Sequence, residues 1–105
     1  MLIVTTETSV GKEILEVKGL VRGSTIRSKH LGNDIAAAFK NLAGGELNSY
    51  NDMLTEARQI AIGRMGEDAE AKGANAIIGM RLMSSSVMSG AAEMVAYGTA
   101  VVIND

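Results

Sequence analysis

The sequence predicts an α+β fold: a small, mostly antiparallel sheet of about four strands packed on two helices. Three observations point there. Short β-branched segments of near-alternating pattern open and close the chain, two central stretches carry apolar residues at helical spacing, and the Gly44-Gly45 pair reverses the chain between those stretches. The 105 residues fit a single domain, 1–105, with no repeat, low-complexity tract or linker to divide it.

LIVTT at 2–6 reads as a strand, and EILEVKGLVRG at 13–23 as a second, imperfectly alternating one. With ETSVGK as the turn, the two suggest a hairpin. From 28 to 45, Leu31, Ile35, Ala38, Phe39 and Leu42 form one helical stripe, with Ser28 as N-cap and Gly44 as a left-handed stop. A longer helix is predicted over 49–73, starting at a capping-box-like Ser49/Asp52 and ending at Gly73. Its apolar face runs through Tyr50, Met53, Leu54, Ala57, Ile60 and Ala61, then shifts by around 100° to Ile62, Met65 and Ala69. Gly63 and Gly66 fall at the shift, which predicts a kink or a close backbone approach, with a neighbouring subunit as one candidate for what packs there.

ANAIIGMRLM (74–83) and AEMVAYGTAVVI (92–103) read as strands joined by a small-residue loop, SSSVMSGA. In both, each parity carries apolar side chains: Ile78, Met80 and Leu82 on one, Ile77 and Met83 on the other. One sheet and two helices cover one face, so the second face calls for a partner. The last strand, free of proline and nearly of charge, is expected to be central, or an edge paired by another chain.

Composition narrows the function. The only aromatics are Phe39, Tyr50 and Tyr97, so the core must be aliphatic and thin for a monomer. A net charge of -2 supplies no basic field for nucleic acid. Without cysteine there is neither disulfide nor thiolate site. No signal-like segment and no membrane-length apolar run is found, which gives the expectation of a cytoplasmic protein without membrane contact.

Four cations, Arg22, Arg27, Lys29 and His30, fall in a stretch free of carboxylates between Glu16 and Asp34. Cations at a helix entry suit a small anionic ligand; the plainer account is a solvated loop. Seven methionines offer soft donors, and Met80 could face Met94 across the hairpin, but gap-filling is the plainer role. Arg64 and Asp68 are expected to pair at i, i+4, and Glu93 to pair with Arg81 or sit in solvent at the strand end. One histidine and no nucleophile elbow make an enzyme unexpected.

The segments VTTETSVGKEI, the VRG turn, GG at 44–45, the Tyr50…Ala57-Arg58 helix start, GANAIIG and YGTAVV together resemble the YbjQ-like family of small bacterial proteins, described as "putative heavy-metal-binding". The likeness spans nearly the whole chain. It implies an α+β subunit in a ring-like homo-oligomer, a pentamer, and brings no reaction with it. The expected role is therefore non-enzymatic: a binding or structural ring. Its ligand-binding residues would be Arg22, Arg27, Lys29 and His30 with Gly44, Gly45, Tyr50 and Arg58 at intersubunit grooves. Tyr50 and Arg58 have a plainer alternative, as a core phenol and an ion-paired guanidinium. No organic cofactor is expected. A metal ion of unspecified identity would need ring-repeated Met, His or carboxylate ligands, such as His30, Met88, Glu93 or the Arg64/Asp68 pair, because the thiolates of a typical site are missing.

Overall fold

The structure, a computed structural model, describes residues 1–9, 11–28, 44–88 and 91–104. Within them the elements run β1 (Leu2–Ile3), β2 (Ile14–Ser28), α1 (Gly44–Ala71), β3 (Ala76–Met88) and β4 (Ala91–Ile103). The four strands form one mixed sheet in the order β1-β3-β4-β2, with β1 parallel to β3 and the other pairs antiparallel. This is an α+β fold with one helix among the described residues. The stripe expected over 28–45 lies outside them, apart from its ends. Ser28 is the last residue of β2 rather than an N-cap, and Gly44 and Gly45 open α1 rather than stopping a helix before it.

The longer helix is present but begins before Ser49. Each glycine costs an isolated helix about 1 kcal/mol; extending a helix already nucleated downstream is cheap enough to include them. Its end follows the sequence. Gly73, at φ 81°, donates its N–H to the Glu70 carbonyl at 2.9 Å, and the Ala74 N–H reaches the Ala69 carbonyl at 3.0 Å. These are the two bonds of a Schellman motif, and Ala74 is buried as its apolar partner.

The core forms between α1 and one sheet face. Ala57, Ala61, Met65 and Ala69, four residues apart, are buried against Val21, Ile77, Met94, Ala96 and Ala100. A stripe at every fourth residue winds by about 40° per step, which accounts for the shift of apolar face between the helix halves. There is no break at Gly63 or Gly66: α1 is continuous, and a Cβ on either would meet nothing within 4 Å. The close backbone approach lies on the strand instead. A Cβ at Gly23 of β2 would run into the Ala61 carbonyl and the Met65 amide, with the Arg64 carbonyl carbon at 2.7 Å.

The expected hairpin of the first two strands does not form. β1 and β2 occupy opposite edges of the sheet. The opening segment follows β3 beyond β1, with the Val4 N–H donating to Ile77 at 2.9 Å and the Gly79 N–H to Thr6 at 2.7 Å. Gly79, at φ 62°, sits in the register shift between Ile78 and Arg81 that bends β3 there. β3 and β4 do form a hairpin, and β4 is central, hydrogen-bonded on both sides. The serine-rich stretch read as a loop is strand as far as Met88, because Ser84, Ser85 and Ser86 pair with Met94, Glu93 and Ala92.

GANAIIG carries a second tie. The Asn75 side chain receives the Ile103 N–H at 2.7 Å and donates to the Ile103 carbonyl at 3.1 Å, closing the exit of α1 onto the end of β4. Asn75→Ala should cost about 1–3 kcal/mol, since it strips a part-buried N–H of its acceptor. A urea midpoint unchanged from the natural chain would show that water replaces the amide.

Candidate functional site

α1 does more than cover the sheet; its polar side chains close part of an open strand edge. β2 is an edge strand, and its even-numbered residues direct their backbone groups outward. The Asp68 carboxylate accepts the Arg22 N–H at 3.2 Å, and the Arg64 guanidinium donates to the Ser24 carbonyl at 2.7 Å. Asp68 also holds Lys72 at 3.0 Å. Arg64 and Asp68 thus stand where a neighbouring strand would, rather than pairing with each other. The reason is distance: four residues along α1 match the step between Arg22 and Ser24 on β2.

The hydrogen bond from Lys72, and after it that from the Arg22 N–H, hold the Asp68 carboxyl below its ordinary 3.8 against a small opposing effect of burial. A carboxylate depressed on folding adds stability above its unfolded pKa and loses it as pH falls through the folded one. Asp68→Asn should therefore narrow the stability difference between neutral and acid solution. Equal pH dependence of the two chains' thermal midpoints would remove Asp68 from this role. The effect will be small, since the group is partly exposed and solvent screens it.

The other face of the sheet is different. At its α1-distal end of the core, Ala76, Val101 and Ile103 are buried with Ile14 and Ile78. Beyond that cluster, cross-strand rows place Arg22, Tyr97 and Arg81 side by side, then Ser24, Val95 and Met83. Leu20 is 69% exposed, Met83 55% and Tyr97 37%. Arg81 donates to the Thr5 and Met80 carbonyls at 2.9 Å. Two guanidiniums therefore flank a phenol on a face that also exposes Leu20 and Met83. The expectation of a sheet with apolar side chains on both faces holds in the β3 and β4 register.

A cleft of about 480 Å³ opens where β1, the end of α1 and the end of β4 meet, lined by Leu2, Lys12, Glu70, Asn75 and Ile103 among others. Its Asn75 amide is already engaged with Ile103, which leaves Lys12 and Glu70 as its charged side chains.

Among the described residues, those singled out in the sequence fall on different elements and faces. Arg22 and Arg27 alternate onto opposite faces of β2; Arg27 reaches Glu56 of α1 at 3.8 Å. Lys29 and His30 lie outside the described residues. Gly44, Gly45, Tyr50 and Arg58 all fall on α1, and Arg58 donates to Thr55 Oγ1 at 3.1 Å. Glu93 stands opposite Ser85, with Arg81 opposite Tyr97, so the expected Glu93–Arg81 pair is not made; register assigns each a different partner. Met80 falls at the register shift near Gly98 and Met94 pairs with Ser84, so the two do not face each other across the hairpin. Asp68 and Asn75 were missed as structural ties, although Asn75 sits in a motif, and only a long-range register reveals their partners.

Residues 1–104 match the model of the YbjQ family, described as "putative heavy-metal-binding". The chain belongs to this family. Among YbjQ relatives, a UPF0145 protein of Clostridioides difficile (strain 630) is 75% identical over the whole chain and 94% of its own length. One from Clostridium perfringens (strain ATCC 13124) is 71% identical over the whole chain and 99% of its own. A solved structure from Pediococcus pentosaceus, a protein with unknown function of the DUF74 family, superposes with a TM-score of 0.60 at 21% identity, covering 99% of this chain and 98% of that one. That likeness speaks for the fold.

The YbjQ description raises a heavy metal, and the donor set can be weighed against it. Among the described residues no three of His, Cys, Asp and Glu gather in one place. Met65 and Met94 are consumed in the core. Within one subunit these residues do not fit a thiolate or imidazole site. No helix among them is long and apolar enough to cross a membrane.

Proposed function

We propose that this YbjQ-family chain works as a homo-oligomeric binding or structural protein, with no catalytic step of its own. The observation that carries this reading is the uncovered sheet face: Leu20, Tyr97 and Met83 lie exposed together, where a monomer gains nothing from displaying them. The molecule is also long for its size, with a radius of gyration of 16.9 Å against about 13 Å for a compact chain of this length. A thin sheet-and-helix pair leaves much surface to bury by association. Five subunits in a ring is the number that the family resemblance supplies.

Native mass spectrometry of protein purified without a metal-affinity tag tests the reading directly. A ring of identical subunits is the expected result; a monomer at micromolar concentration would overturn it.

A second reading follows from the family description together with Met88, which is 65% exposed near the end of the hairpin. Repeated around a ring axis, its thioether would be a soft donor of the kind that suits Cu(I). This reading expects bound Cu(I) in proportion to subunits, lost in Met88→Leu; equal uptake by the variant would remove Met88 as a ligand.

A further inference from the structure

We propose that the uncovered sheet face of one copy receives the outer side of α1 from a second copy, in a head-to-tail contact. The inference rests on the self-association reading and deepens it by naming the two surfaces.

Charge selects the occupant. The outer side of α1, away from the buried Ala57–Ala69 stripe, carries the exposed Glu67 and Glu70, while Glu56 is engaged with Arg27 of its own subunit. The helix's two arginines turn away from it, Arg58 to Thr55 and Arg64 to Ser24. The sheet face carries Arg22 and Arg81, about 10 Å apart across two strand spacings, with Tyr97 between them. The one carboxylate placed on that face among the described strand residues is Glu93, four residues along β4 from Tyr97. One side of the molecule is thus acidic and the other basic.

Shape agrees with charge. Beside Glu67 the outer side of α1 is bare at Gly63 and Gly66, where a Cβ would touch nothing. Within the subunit, a glycine at Gly23 is what lets this helix lie close on a sheet. On the outer side the glycines are on the helix, and a flat side chain such as Tyr97 from a neighbouring sheet can rest against exposed backbone. Glu67 and Glu70, just beyond the glycines, then meet the arginines that flank the phenol.

Edges give this face little competition. β1 is only two residues long, and β2 carries two register shifts besides the Arg64 and Asp68 contacts. Such devices blunt strand-to-strand addition. A contact between unlike surfaces leaves one of each free at the ends of any open chain of subunits, and closure into a ring satisfies both.

The test uses two variants of the full chain. Gly63→Trp fills the outer side of α1, and Leu20→Glu puts a charge on the sheet face; each changes an exposed position and should fold. By sedimentation, each alone should run at the subunit mass where the natural chain assembles, with at least a tenfold loss of affinity. Mixed in equal amounts they should form a two-subunit species and nothing larger, because each variant retains the surface that the other lacks. Should Leu20→Glu fail to fold, Met83→Glu on the same face replaces it. If the natural chain assembles and Gly63→Trp assembles equally well, this contact is wrong while self-association stands. A monomeric natural chain overturns both.

Discussion

Gly23→Ala should remove a large share of the protein's stability. The added Cβ would overlap the Ala61 carbonyl and the Met65 amide, which are helix backbone and cannot rotate aside as a side chain would. Overpacking a core that can adjust costs about 1–3 kcal/mol; here the whole of α1 must move off the sheet, so more than about 3 kcal/mol is expected. A domain of this size has roughly 5–15 kcal/mol in total. Gly98→Ala is the informative comparison. Its Cβ would meet a methyl of Ile77 at 2.7 Å and the Ile78 carbonyl at 3.0 Å, so part of the strain can be relieved by a side chain, and a smaller loss follows. Gly63→Ala should be neutral or stabilising by up to about 1 kcal/mol in the unassembled chain, since nothing obstructs it and helix propensity improves. Urea melts of the three variants check the order. Gly23→Ala melting beside the natural chain would mean that α1 lies farther from β2 than described.

Met65→Ala should cost about 2–5 kcal/mol, the range for emptying a large buried side chain. Met65 is fully buried and is the one large residue in a stripe otherwise made of alanines. Ala57, Ala61 and Ala69 bring the helix close to the sheet but contribute little volume, so Met65 fills the space that they leave. Met65→Leu should cost less than about 1.5 kcal/mol, because volume is nearly kept. Equal losses for the two variants, measured by chemical denaturation, would show that shape rather than volume matters at this site.

The positions of the strands and of the long helix were legible because local periodicity encodes them. GANAIIG and the Gly73 stop were read correctly for the same reason: caps and short apolar runs are properties of neighbouring residues. Pairing was not legible. Nothing in LIVTT distinguishes a hairpin with the next strand from a parallel partner at Ile77, since the choice depends on which edge is free once β3 and β4 have formed. The serines of β3 look like a loop by composition, but their strand character is imposed by β4. Gly63 and Gly66 announced a close approach by their helical position. The approach within the subunit was made instead at Gly23, whose flanking VRG reads as an ordinary turn. For the site, Arg64 and Asp68 have the spacing of an ion pair, and only the nearness of the β2 edge redirects them. Of the cations from Arg22 to His30, Arg22 and Arg27 are sent to opposite sides by the alternation of β2, which their nearness along the chain does not reveal.

The parallel pairing of Leu2 with Ala76 sets an order of events during synthesis. The β1 segment has no partner until the roughly seventy residues between it and β3 have followed it. Closing so long a loop carries an entropic cost that only an existing β3–β4 hairpin repays. The residues of β1, made well before β3, are therefore among the last to find their place. Until then β3 keeps an open flank, and a nascent chain is most vulnerable to mispairing there.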